Sequence, residues 1–347
     1  MVTEERKKKR ILYVDILNII SMFAVVMLHH NGIVHQYSDS RAWKTSLIVE
    51  TLFYWAVPVF LMISGAMLME YRKKYDTKTF FKKRFSKVLI PFVFWSCIMA
   101  IWKVKTGQIS LEHNSIKDYI NIVLNCEAIY YFGYVILGLY LTMPLLSCLS
   151  EEKYKKTLWY TVIVFFIFNA SLPLISEYFD INYNKSLSLQ VGGYVIFILL
   201  GYLLSKEEIV KKHRIIVYLF GVVSFILRYF VTFYLSTRDG HINKVLFSYS
   251  QFHSILLACA VFVFIRNIQW DKFIKKEIIM NWFGKIASCS FGIYLTHKIV
   301  MYYEQDLLNI NIYSWQWRTI GAICTYLISL GIILILKKIP IIKRIVA

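Results

Sequence analysis

The sequence predicts an all-α integral membrane protein, a bundle of about ten transmembrane helices with both termini in the cytoplasm. Three observations carry that prediction. The 347 residues are 58% hydrophobic with a mean hydropathy of +0.53, whereas soluble chains are roughly half apolar and a quarter charged. Apolar stretches of about 20 residues, enough to cross a roughly 30 Å hydrocarbon core as helix, recur along the whole chain. Lys and Arg gather in alternate connections between them.

Counting apolar windows between polar punctuation places the spans at 11–33, 46–69, 88–104, 129–149, 157–176, 187–205, 214–236, 246–265, 283–303 and 316–336. The first follows the basic run Arg6-Lys7-Lys8-Lys9-Arg10 and continues to Gly32 without a small-residue cleavage site, so it reads as a retained helix rather than a signal peptide. Lys103 and Lys105 shorten the third, and Glu127 abuts the fourth. With the N-terminus inside, the inner connections hold 28 Lys and Arg and the outer ones 8. That bias follows the positive-inside rule and favours an even number of crossings.

The connections are short, so the chain reads as a single membrane-embedded domain over 1–347 with no separate soluble domain. A net charge of +19 does not imply nucleic acid here, because the basic residues alternate with apolar spans instead of forming one solvated face. Cytoplasmic loops facing anionic lipid headgroups account for it. Six cysteines without CxxC spacing indicate neither a disulfide framework nor a zinc site, and no metal is expected.

Ionisable and polar groups inside apolar spans are functional candidates, with bundle packing as the alternative. In the first span Asp15, Asn18 and His29 project from nearly one face at about 100° per residue, a seam that belongs against a cavity or the bundle interior. Asp15 and His29 lie roughly 21 Å apart along the helix, too far for a direct acid–base pair. His29 has two readings: a general base, since imidazole titrates near working pH, and a hydrogen-bonded histidine at the helix end. His30 points about 100° away and reads as the second kind.

The second span carries Pro58 and the pair Ser64-Gly65, a kink or close helix contact by default and a ligand contact otherwise. Glu50, at its outer end, reads as a surface carboxylate. Before the third span, Lys82-Lys83-Arg84 and Lys87 precede Pro91, a cluster able to receive either phosphates or lipid headgroups. Ser290, Tyr294 and His297 fall at i, i+4 and i+7, one polar face in the ninth span. Arg228 and His253 are intramembrane outliers with no partner readable from sequence.

These segments together resemble the acyltransferase-3 family of polytopic membrane acyltransferases. The resemblance rests on Val14-Asp15-Ile16-Leu17-Asn18, Val25-Val26-Met27-Leu28-His29, Val57-Pro58-Val59-Phe60 with Ser64-Gly65, Lys82-Lys83-Arg84 with Pro91, Tyr140 through Pro144, and Ser290 through His297, in order over nearly the whole chain. It implies a ten-helix enzyme of the cell membrane, bacterial in origin, that moves an acyl group, usually acetyl, from cytoplasmic acyl-coenzyme A to a hydroxyl of a surface or envelope glycan. It implies no permanently bound cofactor: acetyl-coenzyme A is a donor substrate. By the same resemblance His29 is the essential histidine, and Lys83, Arg84 and Lys87 match the basic cluster that would meet the donor.

Two departures stand out. Asn18 occupies the place, eleven residues before the histidine, where the family often has arginine, so a charge for anchoring an anionic donor is missing there. Tyr130-Tyr131-Phe132-Gly133-Tyr134 alters the usual aromatic pattern of the fourth span. No hydrolase-like domain is expected after the last helix. The expected mechanism makes His29 the general base, or in the alternative the carrier of the acetyl group itself, with Asp15, Asn18, Ser64, Tyr294 and His297 as the supporting polar face. A transporter or exporter whose substrate path follows the same seam is the rival from another class, and a membrane sensor or scaffold is a third. Partners expected are the donor, a glycan, anionic lipid and, as an open matter, further copies of the chain; nucleic acid is not expected.

Overall fold

The computed structural model describes residues 11–110, 115–179, 181, 184, 188–189, 193–340 and 342–346. Arg6–Arg10 and Lys185, which enter the charge count, lie outside the described residues. The described residues are mostly helical, with no strand among them. In order the helices are α1 (Leu12–His30), α2 (Arg41–Phe53), α3 (Ala56–Leu68), α4 (Thr77–Arg84), α5 (Ile90–Lys105), α6 (Ile116–Leu124), α7 (Tyr131–Cys148), α8 (Lys155–Phe165), α9 (Leu172–Tyr178), α10 (Val195–Lys206), α11 (Lys211–Asp239), α12 (Phe252–Asn267), α13 (Trp270–Phe273), α14 (Glu277–Ala287), α15 (Ser290–Leu308) and α16 (Ala322–Leu336).

By length and apolar composition, seven helical segments of the described residues are able to cross a membrane. An eighth arises if α14 and α15, bent by 57° across Ser288–Cys289, are counted as one span. The remaining two expected spans, 187–205 and 246–265, correspond to α10 and α12, which have 12 and 16 residues. Periodicity finds such helices but does not measure them. In α10 every residue from Val195 to Leu204 is buried, the mark of a helix enclosed by protein.

Local chemistry explains the breaks. Ser40 caps α2 by accepting from the Trp43 amide at 3.2 Å. The second expected span is two helices because the chain turns at Tyr54–Trp55. Pro58 then lies in the first turn of α3, where its missing N–H leaves no helical bond unmade. Gly240, at φ 66°, closes α11 in the left-handed region.

At the core α1 packs against α3, α14, α15 and α16. Helices α3 and α10 approach closely: a Cβ on Gly65 would strike the Ile198 carbonyl, and one on Gly201 the main chain of Met62. Gly65 thus serves tight helix contact, the default reading of Ser64-Gly65. The start of α7 and α15 are tied twice, since the Tyr130 hydroxyl donates to the Leu295 carbonyl and the Tyr294 hydroxyl to the Ile129 carbonyl, both at 2.6 Å. Lys103 and Glu127, the two charges that blur the third and fourth spans, form an ion pair at 2.8 Å, and Tyr302 donates to the same carboxylate at 3.0 Å. Outward faces of α11 and α16 expose Leu219, Val222, Phe230, Leu327 and Ile335, apolar surface suited to lipid.

Candidate active site

A cavity of about 490 Å³ runs along α1. One end is marked by Asn18, Ser288, Ser290 and Lys87, and Ser290 donates to the Asn18 carbonyl at 3.4 Å. The other end is marked by His35, Glu50, Tyr54 and Tyr249. His29 lines the cavity between them, eleven residues beyond Asn18 on the same helix face. The seam inferred from helical spacing is therefore a real wall at Asn18 and His29, whereas Asp15 is not among the lining residues.

The nearest partner of His29 comes from α15. Its Nδ1 lies 2.8 Å from Nε2 of His297, and Nδ1 of His297 lies 3.0 Å from the Ile293 carbonyl. A carbonyl only accepts, so His297 carries its proton on Nδ1 and offers a lone pair at Nε2. That lone pair accepts the proton on Nδ1 of His29, a tautomer assigned from the hydrogen-bond network. Nε2 of His29 is then unprotonated, and it has no hydrogen-bond partner among the described residues. The two rings are nearly parallel, 10° between planes with centroids 5.0 Å apart. His297 itself is fully buried. His30 is committed elsewhere: its ring nitrogens meet the Trp317 carbonyl at 3.1 Å and the Thr325 hydroxyl at 2.9 Å.

The other members of the expected polar face are less available. Asn18 Nδ2 donates to the Val14 carbonyl at 3.0 Å, Ser64 to Phe60 at 3.2 Å, and Tyr294 to Ile129 at 2.6 Å. All three line the cavity, yet each of these donors is directed at a main-chain carbonyl. An oxyanion needs a donor aimed at the reacting oxygen, and these three are aimed elsewhere.

At the Asn18 end the basic cluster divides. Lys87 lines the cavity. Arg84 stands behind it, its guanidinium 5.8 Å from the ring of the cavity-lining Tyr140, and its Nε is buried without a partner among the described residues. Lys83 is exposed and sits 3.9 Å over the Tyr75 ring, away from the cavity. Sequence reasoning missed Lys337, whose Nζ donates to the Ser288 carbonyl at 2.7 Å. Burial pulls the Lys337 ammonium below the usual lysine range, and Lys87 and Lys343 add to that shift. Its place directly after the last apolar span was the only sequence signal. Among the described residues no cluster of three or more His, Cys, Asp or Glu side chains is positioned to share a metal ion.

At the opposite end the reading of Glu50 as a surface carboxylate is corrected. It is 6% exposed and faces Arg228, with Nη2 to Oε1 at 3.5 Å. An arginine in a long apolar helix needs a buried anion and carbonyls to sit against, and α2 supplies both. The sequence held the two charges 178 positions apart with nothing to link them.

Chemically, the cavity offers an imidazole with one open nitrogen, ammonium groups at one end and a carboxylate among aromatic rings at the other. The first arrangement suits removal of a proton from a hydroxyl. No curated protein and no solved structure is significantly similar to the chain. The family model described as an acyltransferase domain matches residues 11–336. The match spans all the residues that build the cavity, and the chain belongs to the acyltransferase-3 family of membrane acyltransferases.

Proposed function

We propose that this acyltransferase carries an acetyl group from cytoplasmic acetyl-coenzyme A to a hydroxyl of a cell-surface or envelope glycan, with His29 as the general base. The observation that carries the reading is a single cavity shared by the cationic end at Lys87 and the open nitrogen of His29. The phosphates of the donor meet Lys87 and Lys337, with Lys83 and Arg84 on the approach, and the pantetheine arm extends along α1 toward His29. The missing charge at Asn18 is thereby compensated from Lys337.

In the reaction Nε2 of His29 takes the proton of the acceptor hydroxyl as its oxygen attacks the thioester carbonyl. The carbon–sulfur bond breaks, and the leaving thiolate takes the proton from Nε2. His297 holds the His29 ring through Nδ1 and supports its charged form. The residue pattern is that of a base oriented by a second group.

The chain crosses the plasma membrane ten times in this reading, with both termini cytoplasmic and a bacterial envelope outside. The 28 to 8 distribution of basic residues supports it. Helix α10, roughly 18 Å long, is shorter than the roughly 30 Å core. Val195–Leu204 of α10 are all buried, which encloses the helix in protein instead of facing it to lipid.

The test is acetyl transfer from labelled acetyl-coenzyme A in membranes carrying the protein or its His29→Ala variant at equal abundance. Transfer falls by about 10²- to 10⁴-fold in the variant; undiminished transfer removes His29 from the chemistry. A transporter would give neither thioester hydrolysis nor transfer with the purified protein.

A further inference from the structure

We propose that the Glu50 end of the cavity is a subsite for an uncharged, polyhydroxylated acceptor, in which Glu50 accepts hydrogen bonds from neighbouring hydroxyls and Arg228 positions and neutralises Glu50. The proposal rests on the acyltransferase reading above and adds the residues that would recognise the acceptor.

The first observation is an unmet acceptor. The Glu50 carboxylate lines the cavity, is nine-tenths or more buried, and receives no hydrogen bond from any described residue; its pairing with Arg228 at 3.5 Å is ionic only. An ionised carboxylate offers about four acceptor sites, and leaving them unmet in a buried place is costly. A ligand that brings donors satisfies them.

The second is that Arg228 makes its hydrogen bonds to main-chain carbonyls and leaves that carboxylate only an ionic pairing. It is 1% exposed, donates from Nε to the Leu246 carbonyl at 2.9 Å and from Nη1 to the Glu50 carbonyl at 3.1 Å. Its guanidinium stacks 3.5 Å over the Tyr54 ring and stands 5.0 Å from Phe247. Through Leu246 it holds the segment between α11 and α12 that brings Phe247 and Tyr249 to the cavity.

The third is an aromatic wall. Tyr249 stacks on the other partner of this arrangement, Tyr54, with centroids 4.4 Å apart and planes 24° apart, and the Tyr54 hydroxyl donates to the Phe247 carbonyl. Both Tyr249 and Phe247 line the cavity. Their rings offer apolar faces to the C–H side of a sugar while the carboxylate takes its hydroxyls.

The charges select the ligand. Glu50 and Arg228 sum to zero, so a neutral ligand keeps the balance. An anionic acceptor would meet the Glu50 carboxylate at the wall, while Arg228, whose Nη2 has no hydrogen-bond partner among the described residues, lies behind it and is not among the lining residues. An ammonium would meet a guanidinium already stacked on Tyr54.

The experiment uses the full chain in lipid nanodiscs and saturation-transfer NMR with methyl glucoside, glucosamine and glucuronate, each with the wild type and Glu50→Gln. The expected result is transfer to methyl glucoside that exceeds both charged sugars and is weakened about 10- to 100-fold in affinity by Glu50→Gln. Tyr249→Leu, a second variant, weakens the same signal if Glu50→Gln fails to fold. Equal binding by wild type and variants, or preference for glucuronate, overturns the subsite. Acetyl-coenzyme A binding and hydrolysis by the wild type are measured in parallel. Their absence defeats the acyltransferase reading, whereas their presence together with indifference to Glu50 defeats this proposal alone. Where acceptor turnover is measurable, Arg228→Met raises KM for the neutral sugar more than it lowers kcat; equal losses in both would make Arg228 merely structural.

Discussion

His297 receives a hydrogen bond from His29 at 2.8 Å and is itself tied to the Ile293 carbonyl at 3.0 Å, so one histidine fixes the tautomer of the other. The consequence is testable by substitution. His297→Ala leaves the His29 ring free to turn and to shift its proton, and acyl transfer falls about 10²-fold. His297→Gln keeps an acceptor near Nδ1 of His29 and recovers part of the loss. Initial rates in membranes, normalised to protein level, check the order wild type, Gln, Ala.

The cationic end makes a second prediction. Lys87→Ala and Lys337→Ala each raise KM for acetyl-coenzyme A about tenfold, the scale of one charge-assisted hydrogen bond. Lys83→Ala has the smaller effect, because its ammonium already sits over Tyr75. The KM values, taken at two salt concentrations, decide it: a charge contact weakens as salt rises.

Helix packing makes a third. Gly65→Val and Gly201→Val force α3 and α10 apart, at about 1–3 kcal/mol or more for overpacking. Gly138→Ala and Gly331→Ala, where nothing lies within 4 Å of an added Cβ, leave the fold intact. Thermal unfolding followed by size-exclusion in detergent separates the two pairs.

A fourth concerns the paired ties between α7 and α15. Tyr130→Phe and Tyr294→Phe each remove one hydrogen bond, a loss of about 1 kcal/mol. Because both bonds close the same contact, the double variant departs from the sum of the singles. Thermal or denaturant midpoints of the three variants measure it.

Helical spacing made one side of the site legible. Asn18 and His29 share a face of α1, and Ser290, Tyr294 and His297 share one of α15, because the period of the helix turns sequence distance into direction. Direction does not name the neighbour. His29 meets His297 across 268 positions, and Glu50 meets Arg228 across 178; both pairings are products of packing. The turn at Tyr54–Trp55 was hidden by unbroken hydrophobicity, and Pro58 pointed to a kink without placing it. Lys83, Arg84 and Lys87 are adjacent in the chain, yet only Lys87 reaches the cavity wall. The count of full-length crossings was also obscured, because a short enclosed helix such as α10 is as apolar as a long one facing lipid.

The closed Nδ1 of His29 limits the order of events in the proposed chemistry. With that atom engaged by His297, the same nitrogen must collect the proton and give it up again. The acceptor oxygen and the departing sulfur therefore have to occupy the site together, which calls for a ternary complex. Initial-rate plots against both substrates would intersect, and parallel lines from a substituted-enzyme cycle would not be seen.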